Sequence, residues 1–255
     1  MYIQRIGGAK LNIAIIFAGG VGTRFSHTST PKQFVNVNNK PIIIHTLDIF
    51  ERHDLIDKIY IAIHKDYRDY MVNLVKKYKI SKVKGIVNGG ITAQHSIYNA
   101  LTKARSQNSG DAIVLIHDGV RPIVDYNVIT ENINQVKKLG NSITFTPCYE
   151  TILISKDGKI PKEIPYRRNT YSAQAPQCFY LDEIIQAHLK IQNSNPNYDD
   201  MVDQCTIMHT LGIPVHLCRG NFGNIKVTTP RDIFILEALL KYRKKEQNGL
   251  FRCDK

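Results

Sequence analysis

The chain has no tryptophan, and its aromatics are not interleaved with its lysines and arginines. It therefore lacks the basic stripe with stacking aromatics that a nucleic-acid-binding domain would need. No stretch approaches the roughly 18 consecutive apolar residues of a membrane span. Residues 1–10 contain Gln4, Arg5 and Lys10 and no apolar core, so they do not read as a secretory signal. The five cysteines, Cys148, Cys178, Cys205, Cys218 and Cys253, are odd in number and form no CxxC pair. They read as reduced thiols in a cytosolic protein, with no zinc site. Acidic residues are scarce: 22 Asp and Glu stand against 34 Lys and Arg, a formal net charge of +12. That balance favours anionic partners such as phosphorylated metabolites, nucleotides or nucleic acid. Two common phosphate-binding signatures are missing. A dinucleotide fingerprint needs a third glycine where Phe25 stands, and no Gly-Lys-Ser/Thr run follows Gly19.

What the chain does have is a strand that runs straight into a small-residue loop. Ile13 to Phe17 is a wholly apolar, largely β-branched run, as in a central parallel strand. Ala18, Gly19, Gly20, Val21, Gly22, Thr23 and Arg24 follow it. Backbone N–H groups in such a loop can cradle phosphates, and Arg24 adds charge at its end. A plain tight turn after a core strand is the alternative. Pro31-Lys32-Gln33-Phe34 brings a second cation close behind. An arginine and a lysine on one glycine-rich loop suit a triphosphate whose oxygens gain charge during reaction.

Further on, strands and helices alternate. Lys40 to Phe50 reads as a helix with proline near its first turn, Lys58 to Ile63 as a strand and Asp66 to Tyr78 as a helix. Val83 to Val87 is a short strand leading into Gly89-Gly90, Ser96 to Ala104 is helical, and Ala112 to Ile116 is another wholly apolar strand. This alternation implies a mainly parallel sheet covered on both faces, with ligands at the carboxyl ends of the strands. His117-Asp118-Gly119-Val120-Arg121-Pro122 lies at such an end. Asp118 is well placed to hold magnesium against phosphates. Arg121 can neutralise phosphate or lock the loop, and His117 reads as a structural side chain. From Ser142 the pattern changes. Ile143 to Pro147 is a strand, and Glu150 to about Tyr171 reads as a protruding β arm with a turn at Lys156-Asp157-Gly158-Lys159. Leu181–Ile191 and Met201–Leu211 are helical, and Val215–Leu217 is a strand. Thr229 caps the last helix, Pro230 stands at its first position, and Ile233, Leu236, Leu239 and Leu240 form its core face. The length permits one large α/β domain or two small ones, and a single domain over 1–255 is expected.

Four segments in order carry a resemblance: Ala18 to Arg24, Pro31-Lys32-Gln33, His117 to Pro122, and Asn224-Ile225-Lys226-Val227-Thr228-Thr229-Pro230-Arg231-Asp232. Together they resemble the cytidylyltransferases that make CDP-methylerythritol or CDP-ribitol from CTP and a polyol phosphate. The resemblance implies an α/β, Rossmann-like nucleotide-diphospho-sugar transferase fold and a homodimer whose β arm (150–171) reaches the other subunit. It implies that Arg24, Lys32 and Lys226 act on the CTP phosphates and the α-phosphorus. Ala18, Gly19, Gly20, Gly22, Thr23, Gly90, Ser96 and Asp118 would line the CTP site. Asp118 would also carry Mg²⁺. Arg121, Thr151 and, from the partner's arm, Arg167 would serve the polyol phosphate.

The chain departs from that pattern at three places. Ala93 stands where the family usually has arginine, and Ala175 and Val202 stand where it usually has threonines near the polyol. Gly19-Gly20 and Val120 point to the ribitol-phosphate branch, with the methylerythritol branch as the alternative. The lost hydroxyls leave open a paralogue that binds CTP without turnover, which pyrophosphate release with any polyol phosphate would exclude. A nucleic-acid-binding domain is the other alternative, which binding to a random oligonucleotide at physiological salt would reveal.

Overall fold

The computed structural model describes residues 11–19, 30–108 and 111–247. The order is β1 (Leu11–Ala18), a hairpin of β2 (Asn36–Val37) and β3 (Lys40–Pro41), α1 (Ile42–Arg52), β4 (Lys58–Ile63) and α2 (Arg68–Lys77). Then come β5 (Val83–Asn88), α3 (Ala93–Gln107), β6 (Ala112–Asp118), α4 (Tyr126–Leu139) and β7 (Asn141–Pro147). The chain closes with β8 (Tyr171–Tyr180), α5 (Leu181–Ser194), α6 (Gln204–Thr210), β9 (Leu217–Arg219) and α7 (Arg231–Gln247).

Seven strands form one sheet in the order β5-β4-β1-β6-β8-β7-β9. All run parallel except β8, which is antiparallel to both its neighbours. The expected mainly parallel α/β sheet is what the chain builds. The apolar runs at the centre of the sheet, Ile13 to Phe17 in β1 and Ala112 to Ile116 in β6, are explained by helices covering both faces. Alternate residues of β1 divide between two cores: Ala14 and Ile16 pack with α1, α2 and α4, while Ile13 and Ile15 pack with α3, α5 and α6. Among the described residues no helix is long and apolar enough to cross a membrane.

Several elements differ from the sequence reading. α4 was not anticipated, and neither was β8, whose buried half contains Pro176 and Gln177. α6 starts at Gln204, capped by Asp203, whose carboxylate accepts from the Thr206 amide at 2.9 Å. β9 sits two residues later than expected. The start of α7 inverts the expected cap. Asp232, in its first turn, accepts from the backbone N–H of both Thr228 and Thr229 at 2.8 Å. A carboxylate is favoured there because the helix N-terminus presents unpaired N–H groups. Leu236 is buried, with Ile233, Leu239 and Leu240 packed around it, as the spacing implied.

The excursion between β7 and β8 leaves the sheet where the Cys148 amide donates to the Thr170 carbonyl at 3.0 Å. It contains one isolated bridge, Ile154 to Glu163, and a turn in which the Asp157 carboxylate accepts from the Lys159 and Ile160 amides. It is thus an arm closed by a turn, without a β ladder of its own.

Candidate active site

Three strand ends and two other segments meet in one cleft. β1 delivers Ala18 and Gly19, β5 leads to Gly89-Gly90, and β6 ends at Asp118. Together with Lys32 and Lys226, the residues Ala18, Gly19, Gly90 and Asp118 line one side of it. Lys32 is brought there by its neighbour: the buried Gln33 amide donates to the Ala18 carbonyl at 3.1 Å, pinning the Pro31–Phe34 segment to the end of β1. Sequence reading grouped these residues but did not find that tie.

The glycines allow backbones to touch. A Cβ on Gly19 would stand 2.6 Å from the Ser96 hydroxyl, and one on Gly90 would stand 2.2 Å from the His95 Cβ. Ser96 is buried, and its hydroxyl both accepts and donates. It accepts from the Gly90 amide at 3.0 Å and donates to the Thr92 carbonyl at 2.9 Å. Ser96 therefore shapes the Gly89–Thr92 loop. Gly90→Ala must displace either that loop or α3. We expect a loss of about 1–3 kcal/mol in stability, as overpacking typically costs. The CTP KM should rise by between about 10- and 100-fold, the scale of an ångström-sized misplacement. Thermal denaturation and initial-rate kinetics check both.

Asp118 is the electrostatic centre. Its Oδ1 lies 2.5 Å from the Lys226 Nζ, and its Oδ2 accepts from the Arg121 Nε at 2.9 Å. Burial alone would raise the Asp118 pKa, but the two cations outweigh it and hold the carboxyl below its usual range. Arg121 also donates from Nη1 to the Asn224 carbonyl at 2.8 Å, so it braces the segment that carries Lys226. His117 is wholly buried and bonded through Nε2 to the Arg121 carbonyl, and burial pushes its pKa down to about 4. It is a hydrogen-bonded structural side chain, as the sequence reading has it.

Across the Asp118–Lys226 pair the cleft continues into a second concavity. Arg121, Ala175, Gln177, Val202 and Asp203 line it, and Phe17, Asp118 and Lys226 are shared with the first. The positions of both absent threonines thus face the same space. Ala175 is held by its carbonyl, which accepts from the Asn224 Nδ2 at 2.6 Å. Val202 is 84% exposed at the rim. Asp203 was missed as a wall residue. Its signal is its place directly before a helix, where aspartate caps well.

Arg167 and Thr151 are not among the residues lining either concavity. Both lie on the exposed arm, with the Arg167 Nη1 donating to the Tyr149 carbonyl at 3.3 Å. Gly20, Gly22, Thr23 and Arg24 lie outside the described residues. Among those described, no group of three or more His, Cys, Asp or Glu side chains could hold a metal ion.

A mainly parallel sheet whose strand ends set two lysines around a buried, ion-paired aspartate beside glycine-lined backbone has the framework of a nucleotidyltransferase. The chain belongs to the 2-C-methyl-D-erythritol 4-phosphate cytidylyltransferase (IspD) family, which it matches over residues 12–242. It is 40% identical over 237 residues to a ribitol-5-phosphate cytidylyltransferase of Streptococcus agalactiae, covering 93% of this chain and 98% of that protein. It is also 40% identical over 233 residues to a 2-C-methyl-D-erythritol 4-phosphate cytidylyltransferase of Clostridium acetobutylicum, covering 91% and 98%. Its fold matches the crystal structure of 4-diphosphocytidyl-2C-methyl-D-erythritol synthase from Anaerococcus prevotii with a TM-score of 0.78, at 29% identity over 91% of this chain and 96% of that one. The protein is a cytidylyltransferase.

Proposed function

We propose that the enzyme transfers CMP from CTP to D-ribitol 5-phosphate, giving CDP-ribitol and pyrophosphate. The observation that carries this reading is the Asp118–Arg121–Lys226 cluster at the junction of the two concavities. The nucleotide would occupy the Gly19–Gly90 side and the polyol phosphate the Ala175–Val202 side. The ribitol assignment is supported by the Streptococcus agalactiae relative and by a second ribitol-5-phosphate cytidylyltransferase, from Vibrio parahaemolyticus, also 40% identical. The Clostridium acetobutylicum relative makes 2-C-methyl-D-erythritol 4-phosphate the competing acceptor.

In the reaction an oxygen of the acceptor's phosphate forms a bond to the α-phosphorus of CTP. The bond from that phosphorus to the bridging oxygen breaks, and pyrophosphate leaves with the electron pair. The attacking oxygen is already anionic, so no general base is required. Positioning and charge neutralisation carry the step. Lys226 reaches both sides of the cleft and would hold the α-phosphate as charge builds on it. Lys32 and Arg24 would hold the outer phosphates. Gly19, Gly90 and the loop shaped by Ser96 would receive the base.

A single carboxylate is a poor all-protein cage for magnesium but fits an ion brought in by the nucleotide. Mg²⁺ commonly takes one or two carboxylates and completes its shell with phosphate oxygens and water. Asp118 would hold it. When bound it neutralises charge on the phosphates.

The arm supports a homodimer. It exposes Leu153, Ile160, Ile164 and Tyr166, a set of apolar side chains that a second copy could cover. Arg167 and Thr151 would then serve the partner's cleft. Arg167→Ala subunits mixed with Lys32→Ala subunits should regain a fraction of activity, because some sites keep both residues. A monomer in light scattering would contradict the dimer. The function itself is tested by mass spectrometry of products from CTP and D-ribitol 5-phosphate: CDP-ribitol with equimolar pyrophosphate is expected, and its absence with every polyol phosphate would refute the reading.

A further inference from the structure

Three buried glutamines lie outside the cluster that handles phosphate. Gln94, in the first turn of α3, is fully buried, and Gln204 and Gln177 are nearly so. The Gln94 Nε2 donates to the Met201 carbonyl at 2.9 Å, and its Oε1 accepts from the Gln204 Nε2 at 2.8 Å. The Gln177 Nε2 donates to the Asp203 Oδ2 at 2.9 Å, and its Oε1 accepts from the Cys205 amide at 2.9 Å. These amides grip both ends of the short Met201–Asp203 segment, which has no regular structure of its own and whose Val202 and Asp203 line the second concavity, next to Gln204.

We infer that Gln94 is a positioning residue for the acceptor: placed on the nucleotide-side helix, it holds the wall against which the polyol phosphate sits. The inference rests on the assignment of the second concavity to the acceptor. Gln94 has both ends of its amide engaged and lines neither concavity, so it acts through Met201 and Gln204. The nucleotide-side loop does not depend on it. That loop is held by the Thr92 hydroxyl, which accepts from the His95 amide, and by the Ser96 hydroxyl on Gly90. Losing the Gln94 amide leaves the Met201 carbonyl and the Gln204 amide unpaired in a buried place, which favours displacement of the segment.

The test is Gln94→Met, with Gln94→Asn, which withdraws the amide from Met201 and Gln204, as the second variant should the first not fold. The acceptor KM should rise by about tenfold or more, the size of losing one well-placed buried contact, while the calorimetric CTP affinity stays within about twofold. A purely local disturbance of α3 would move CTP affinity instead. Hydrogen exchange at the Cys205 and Thr206 amides should accelerate, with Gly90 unchanged. Acceptor KM within about twofold of wild type, or CTP affinity weakened as much as acceptor affinity, would overturn the inference. A wild type that turns over no polyol phosphate would instead sink the proposed reaction. In that case exchange at 205 and 206 still decides, and unchanged rates there would refute the role of Gln94.

Discussion

Lys226→Ala should lower kcat by about 10²–10³-fold, the usual effect of deleting one charge contact to a transition state. The side chain is 41% exposed while the Asp118 it meets is 9% exposed, so the ammonium stands at the boundary between the buried cluster and the open cleft. Among the described residues it is the cation that lines both concavities, and its head still faces solvent. The backbone around it does not need the lysine. The Val227 amide donates to the Val120 carbonyl at 3.0 Å, and the Val227 side chain is fully buried. Asp118 keeps Arg121 as a counter-charge in the variant. The protein should therefore stay folded, with a Tm close to wild type, while pyrophosphate release collapses. Lys32→Ala should behave alike. Near-wild-type turnover in Lys226→Ala would remove it from the chemistry.

Asp118→Asn should do more damage, to both stability and activity. Asparagine keeps the volume but removes the charge that Arg121 and Lys226 share. Breaking a buried ion pair from one side typically costs about 3–5 kcal/mol, because the remaining charge is left uncompensated. Arg121 also braces Asn224, whose side chain holds the Ala175 carbonyl, so the disturbance should spread to the acceptor side. The pH dependence has a definite sign. The folded pKa of Asp118 lies below the ordinary 3.8. Its stabilising contribution is therefore complete above that value and is lost as pH falls through the lower folded pKa. The stability gap between wild type and Asp118→Asn should stay level from pH 5 to 8, by the same linkage, and narrow only under strongly acid conditions. Denaturation curves across that range check it. Turnover should be abolished in the variant and, if the carboxylate holds a divalent ion, by excess EDTA in the wild type.

The parts of the fold that could be read from sequence are those where one physical effect dominates. β1 and β6 are buried on both faces and read as unbroken apolar runs. The arm announced itself through scarce core residues and an Asp-Gly turn. α4 has its apolar positions at Val128, Ile129, Ile133 and Val136, but the same face carries Asn132. That side chain is fully buried, bonded to the Val128 carbonyl and to the hydroxyls of Thr144 and Ser142. β8 was obscured likewise, because Gln174, Pro176 and Gln177 interrupt the expected alternation. A polar residue paired inside a core cannot be told from a surface residue until its partner is known. The site divides in the same way. Lys32, Lys226, Gly19, Gly90 and Asp118 all stand in segments legible from the sequence, whereas Asp203 does not. That Lys226 meets Asp118, 108 positions earlier, or that Gln94 meets Met201, follows only from the folded chain.

Ala175 and Val202 can neither donate nor accept a hydrogen bond through their side chains. An acceptor hydroxyl left unpaired beside the buried Ala175 would cost about 1–3 kcal/mol, so an acceptor that relies on a threonine there should be used poorly. Threonine at both positions should raise use of methylerythritol 4-phosphate. The most direct measurement is kcat/KM for D-ribitol 5-phosphate and for 2-C-methyl-D-erythritol 4-phosphate, with the unmodified enzyme at saturating CTP. The account predicts that ribitol 5-phosphate is preferred. A preference of about tenfold or more for methylerythritol 4-phosphate, some 1.4 kcal/mol in transition-state stabilisation, would contradict it.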